Sequence, residues 1–256
     1  MIDLYIQDRI ATITLNRPEK RNALDDQMAQ ALHTTLLDLA SNDACKVLIL
    51  QGASEAFCAG ADLAYLQQLQ QNSYEDNLKD STALMAMFRT LYAFPKLTIA
   101  KVQGPAFAGG CGLASICDFC IASDQAQFAY TEVKIGFIPA IVSVFLSPKI
   151  GENNAKRLLL TGDVISAAQA LQMGLITEVF ASSDLDAHTL SFAQRIVKQT
   201  SMEAIAATKQ LMLQLPGQNL TDQLQMAAAA NAVARSSNDC KKGIHAFLNK
   251  EKPLYK

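Results

Sequence analysis

The sequence has no tryptophan, only three histidines, and charged residues at just 18% of its positions. Lys+Arg number 22 against 24 Asp+Glu, for a formal net charge of −2, and no basic run exceeds two residues. Such a chain offers no positive stripe for a phosphate backbone, so no nucleic-acid partner is expected. The histidines, His33, His188 and His245, are scattered, and no metal motif can be built from them. The six cysteines (45, 58, 111, 117, 120 and 240) are too sparse for a disulfide scaffold and lie mostly in apolar or glycine-rich stretches. Cys117-Asp-Phe-Cys120 has CxxC spacing, but without a second pair or a histidine cluster it reads as packing, and no metal is expected. Long hydrophobic runs are missing too. The stretch "IGFIPAIVSVFLSP" (135–148) is too short to cross a bilayer and carries two prolines. The first residues, "MIDLYIQDRIATITLNRP", lack the basic and apolar regions of a signal peptide. A cytoplasmic protein with no membrane partner is the expectation.

What is there is a 256-residue chain, 50% hydrophobic, able to bury a substantial core. Residues 2–15 alternate as a strand hairpin. From Asp25, Met28, Leu32, Leu36 and Leu39 fall at helical spacing behind aspartates that suit a helix start. "CKVLILQGA" (45–53) and "LTIAKVQG" (97–104) read as strands. Between them, 62–94 predicts two helices, the second striped by Leu84, Met87, Phe88 and Leu91. Further elements are a helix at "GCGLASIC", a strand at "DFCIAS", helices over 153–162 and from Ser166 to Gly174, and a strand at "LITEVF". From about Leu185 the pattern is almost wholly helical. Strand–helix alternation followed by helices implies an α/β core with a helical tail.

Two loops share one design. Each strand-like segment runs into small residues, AGAD at 59–62 and AGGCG at 108–112, and then into a helix. Small residues let a ligand approach the backbone, and a helix start supplies unpaired N–H groups. Two such loops converging on one oxygen form an oxyanion hole, suited to a thioester carbonyl that becomes an enolate. A dinucleotide-binding turn is the rival: Gly110-Cys-Gly112 follows a strand, and Glu132 lies near the spacing of a ribose-binding acid. The third glycine is missing, however, and the motif sits in mid-chain. A P-loop is excluded because no Gly-Lys-Ser/Thr follows.

Five fragments, "ATITLNRPEKRNAL", "FCAGADL", "GPAFAGGCGLASICD", "AQFAYTEVKIGFIP" and "LLLTGDVISAAQALQMGLITEVF", appear in the order of the enoyl-CoA hydratase/isomerase (crotonase) superfamily, which the chain resembles over nearly its whole length. The resemblance implies an α/β spiral of ββα units over residues 1–195 and a helical trimerisation region over 196–256. It implies a homotrimer or homohexamer acting on an acyl-CoA thioester. Coenzyme A would be part of the substrate and no separate cofactor would be needed. The oxyanion donors would be the N–H groups of Ala61 and Gly109. Ala59, Gly60, Asp62 and Leu63 would line the CoA together with the Arg17–Lys20–Ala23 segment, and Gly110 and Gly112 would also bind the substrate.

Two-acid hydratases of this family carry one glutamate after the glycine loop and a second in a later E-x-x-x-G segment. Here Gly112 stands at the first position and Glu132 at the second. Glu132, in an apolar segment, is expected to be partly desolvated and so suited to proton transfer near neutral pH. One glutamate serves a hydratase only if other groups hold the water; it suffices for an isomerase moving a proton between C2 and C4. The stretch "TEVKIGFIPAIVSVFLSPKIG" resembles bacterial methylglutaconyl-CoA hydratases, which favours hydration. A non-catalytic acyl-CoA-binding scaffold is the remaining alternative. Asp62 reads equally as a helix cap and Asp118 as structural. Lys241, Lys242, Lys250 and Lys252 read as a solvated face.

Overall fold

The computed structural model describes residues 1–253 and 255. It opens with the expected hairpin, β1 (Ile2–Gln7) and β2 (Ile10–Leu15). Asp8 and Arg9 both take positive φ, 50° and 65°, the backbone shape that joins two strands most tightly. α1 (Asp26–Ser41) starts where Asp25 accepts from the Met28 N–H, and it buries Met28, Leu32, Leu36 and Leu39. β3 (Val47–Gly52), α2 (Leu63–Leu69), α3 (Tyr74–Tyr92) and β4 (Leu97–Val102) follow. Then come the short β5 (Ala106–Phe107), α4 (Gly109–Ile116), β6 (Phe119–Ser123) and β7 (Gln127–Ala129). α5 (Ala140–Thr161), β8 (Ile165–Ser166), α6 (Ala167–Gln172) and β9 (Glu178–Phe180) complete the core. α7 (Leu185–Gln199), α8 (Met202–Gln214), α9 (Leu220–Ser236) and α10 (Asn238–Leu248) form the helical end.

The main sheet has the order β1-β2-β3-β4-β6-β9, antiparallel only between β1 and β2. A second sheet pairs β5 parallel to β7 and β7 antiparallel to β8. A parallel sheet must be covered on both faces, and alternation along the strands achieves this. Ala11, Ile13, Leu48, Leu50, Ala100 and Val102 face one apolar cluster with α1, α3 and α4. Ile10, Val47, Ile49 and Ile99 face a second, closed by Leu185, Ala193 and Ile196 of α7.

One expectation is corrected. The helix predicted over 153–162 in fact opens at Ala140, with non-helical backbone at Gly151 (φ 76°, ψ 156°). Pro148 inside the run and the lack of polar alternation over 140–146 hide its first turns, because a proline normally signals a helix end. Among the described residues no helix is long and apolar enough to cross a membrane.

Buried lysines fasten helix ends to the core. The fully buried Lys46 donates through Nζ to Val197 O at 2.9 Å and to Thr200 O, at the end of α7. Lys96 donates to Leu39 O (2.6 Å) and Asn42 O (2.5 Å), at the end of α1. Burial pushes both ammonium groups below the usual lysine range. Cations suit the negative ends of helices. Lys209 of α8 bridges Lys96 O and the Asp118 carboxylate, which also accepts from the Thr98 N–H, so Asp118 is structural as expected.

α4 packs very closely on its neighbours. A Cβ at Gly112 would lie 2.4 Å from Val142 Cγ1 and 3.0 Å from Phe88 Cε1. Replacing an exposed helix-interior glycine by alanine gains about 0.5–1 kcal/mol. Here the sign should reverse: Gly112→Ala is expected to cost about 1–3 kcal/mol through overpacking. Combined with Val142→Ala, the loss should be smaller than the sum of the two single losses in urea unfolding. Lys46→Met, which strands two carbonyls, is expected to lower the unfolding free energy by about 2 kcal/mol with an unchanged denaturant slope.

Candidate active site

The two glycine loops meet. The N–H groups of Phe57 and Cys58 donate to Pro105 O at 3.0 and 3.2 Å, and the Phe107 N–H returns a bond to Cys58 O at 2.9 Å. The contact is possible only because glycines stand at two points. A Cβ at Gly110 would lie 2.2 Å from Cys58 O, and one at Gly60 would lie 2.7 Å from Ala108 Cβ and 3.5 Å from Gly109 N. Gly60 also holds φ +94°, a left-handed value that favours glycine. The first loop is anchored on its other side, where Leu24 N donates to Gly60 O (2.7 Å) and Asp62 N to Leu24 O (2.8 Å).

This lacing leaves the Ala61 and Gly109 N–H groups without a partner among the described residues. Ala61 is exposed and Gly109 half-buried. Gly109 opens α4, so its N–H sits at the positive end of the helix dipole. Ala108, just before it, adopts φ 49° and ψ −123°.

The small sheet ties the segment of Glu132 to the second loop. β5 pairs in parallel with β7, and Ala108 N donates to Ala129 O at 2.8 Å, three residues before Glu132. Glu132 opens a 3-10 turn running to Ile135, and its carbonyl accepts from Phe137 N at 3.0 Å. Its carboxylate oxygen Oε2 is buried with no partner among the described residues. Burial pushes the carboxyl above the ordinary glutamate range, against a small opposing pull from its own backbone N–H. Glu132 also reaches Cys111 electrostatically: that thiol is pushed up to about 12, chiefly by burial, and the Glu132 charge adds to the rise. The Gly112 position holds no acid, and Val142 and Phe88 occupy its surroundings.

The other predicted residues divide into two groups. Arg17 forms an ion pair with Asp25 Oδ2 (2.7 Å) and donates to Asp62 Oδ2 (2.9 Å) and Ala23 O (3.0 Å), with its side chain 15% exposed. Its charge is thus engaged by the starts of α1 and α2. Asp62 caps α2 by accepting from Ala64 N at 2.9 Å. Burial works against the Asp62 carboxylate, but the bonds from Arg17, Ala64 and Tyr65 together hold its pKa below the usual range. These residues, with buried Ala23, hold the loop. Lys20 and Leu63 are exposed beside it, and Ala59 is tied by its N–H to Arg21 O at 3.0 Å.

Cys58 and Cys117 are buried free thiols pushed by burial up to about 12, and Cys120 is raised as well, which suits packing rather than reaction. No group of three His, Cys, Asp or Glu among the described residues could hold a metal ion. His33 bonds Thr90 at 3.0 Å, His188 stacks on Phe180 at 3.8 Å and His245 lies exposed near Asn249. None belongs to the loops. Sequence reasoning missed three features: the Arg17 clamp, the filling of the Gly112 site, and the backbone of Ala108. Each depends on contacts between distant segments, and no local pattern announces them.

Known proteins share this architecture. The family described as enoyl-CoA hydratase/isomerase matches residues 5–256. A Thermus thermophilus protein named "Putative enoyl-CoA hydratase" is 41% identical over 246 residues, covering 96% of this chain and 97% of the relative. The 2,3-dehydroadipyl-CoA hydratase of Escherichia coli is 31% identical, covering 98% of this chain and 96% of its own length. The crystal structure of an enoyl-CoA hydratase from Shewanella pealeana superposes with a TM-score of 0.94 at 31% identity, over 99% of this chain and 95% of that one. With the match running from β1 to the end of the chain and the solved relative sharing its topology, the protein belongs to the enoyl-CoA hydratase/isomerase family and has the crotonase fold.

Proposed function

We propose that the protein is an enoyl-CoA hydratase that adds water across the 2,3 double bond of an acyl-CoA thioester with a single carboxylate. One observation carries this reading: two unpaired backbone N–H groups lie on touching loops, and β5–β7 pairing ties one of those loops to the segment that carries a buried carboxylate oxygen with no partner. The thioester oxygen accepts from Ala61 and Gly109. Ionised Glu132 takes a proton from water, the water oxygen bonds to C3, and the C2=C3 electron pair shifts to leave an enolate on the thioester oxygen. Glu132 then returns the proton to C2, so it ends as it began. Its raised pKa narrows the gap to the carbon acid it must serve. Each oxyanion donor of this kind contributes about 2.7–4 kcal/mol to the transition state. The scheme needs no cofactor beyond the CoA of the substrate.

Lys20, exposed beside the first loop, is available to the CoA phosphates, and Ala59, Gly60, Leu63 and Gly110 border the thioester arm. Arg17, Ala23 and Asp62 act by holding that loop in shape. The acyl group is proposed to be branched, as in 3-methylglutaconyl-CoA, on the resemblance of residues 131–151. A second reading, 3-enoyl to 2-enoyl isomerisation, draws on the apolar surroundings of Gly112, where Phe88 and Val142 offer nothing to orient a water. Residues 196–256 are proposed to assemble a trimer or hexamer in the cytoplasm. In support, that end exposes the large apolar side chains of Leu220, Val233 and Phe247, which are 70%, 71% and 84% exposed.

Purified protein incubated with crotonyl-CoA, 3-methylglutaconyl-CoA and a 3-enoyl-CoA should yield products heavier by one water from the 2-enoyl substrates. Conversion of the 3-enoyl compound at unchanged mass, without any hydration, would replace the hydratase reading by the isomerase one. Glu132→Gln is expected to lower kcat by about 10²–10⁴-fold while acyl-CoA still binds. The same variant should be the more heat-stable protein at pH 7. A carboxyl whose pKa is raised on folding loses stability as pH climbs past its unfolded value and through its folded value, and glutamine removes that loss. In acid, where the carboxyl is protonated in both states, the two melting temperatures should converge.

A further inference from the structure

Ala108 holds φ 49° and ψ −123°, a conformation that glycine adopts freely and alanine rarely does. Three restraints keep it there. Its N–H donates to Ala129 O at 2.8 Å, its C=O accepts from Gly112 N at 3.0 Å, and its methyl group lies 2.7 Å from where a Gly60 side chain would begin. The Gly109 N–H belongs to the peptide plane that turns with ψ of Ala108, so this one dihedral sets where that donor points. The methyl group meanwhile lies in the gap between the loops, one residue from Ala61. If the turn alone were needed, glycine would form it without strain.

We propose that the Ala108 methyl group is a positioning element of the oxyanion site. It spaces the two loops and locks the peptide that aims the Gly109 N–H at the same point as the Ala61 N–H. The proposal rests on the oxyanion reading of Ala61 and Gly109 given above. Backbone strain preserved next to reacting groups is a recognised way of storing preorganisation. Ala108 itself touches no reacting atom and acts through Gly109.

The test is Ala108→Gly, read in three ways. With crotonyl-CoA, kcat should fall about 10-fold or more while KM stays within about threefold, because misaim affects the transition state more than ground-state binding. The melting temperature should hold or rise, since the strain is released. The infrared carbonyl band of bound butanoyl-CoA carrying a 13C label at the thioester carbon, a saturated compound that cannot be hydrated, should shift to lower frequency in the parent and shift less in the variant. A parent that shows the shift and a variant that keeps both the shift and full kcat would overturn the role of Ala108. A parent that shows no shift would instead overturn the oxyanion reading on which it rests. A variant with lower kcat, unchanged band and lower melting temperature would make the methyl group a packing element only, and would also overturn the proposal.

Discussion

The close approach of two backbones is the constraint on which the rest of the site depends. Cys58–Asp62 and Pro105–Gly110 come from different parts of the chain and touch through Gly60 and Gly110, where no side chain could fit. The parallel strands behind them, β3 and β4, hold the loops in register, and the hydrogen bonds between Cys58, Pro105 and Phe107 extend that register past the sheet edge. The same packing that brings the loops together leaves the N–H groups of Ala61 and Gly109 without an acceptor among the described residues. The small sheet β5-β7-β8 then delivers Glu132 through the Ala108–Ala129 bond.

Around this contact the fold uses charge sparingly and usually hides it. Arg17 joins two helix starts, and Lys46 and Lys96 close two helix ends, each with its partners inside the protein. Glu132 differs from all of these. Its buried oxygen has no counterpart, which leaves an uncompensated desolvation cost in the resting protein. A fold that compensates its other buried charges but not this one marks where stability and chemistry compete.

Much of this was legible in the chain. The hairpin alternation of residues 2–15, the stripe from Met28 to Leu39 and the two small-residue loops carry local periods or breaks that physics reads directly. Glu132 was legible as a candidate through its place in the E-x-x-x-G segment of the family that the chain resembles, although its orphaned oxygen was not. Helix α5 was obscured because Pro148 imitates a terminus while the true break comes three residues later, at Gly151. Arg17 reads as part of a segment that lines the CoA; only the fold reveals that Asp62, forty-five positions away, already holds it. Ala108 gave no signal, since alanine in a glycine-rich loop looks like one more small residue, and its dihedrals follow from Ala129 and Gly112.

The filling of the Gly112 site by Val142 and Phe88 bears on the history open to this sequence. A carboxylate at that position would need a cleared volume on α3 or α5 first, whereas clearing either alone leaves a cavity with nothing to fill it. Neither step is favourable in isolation, so the one-acid and two-acid arrangements are separated by a valley rather than a single substitution.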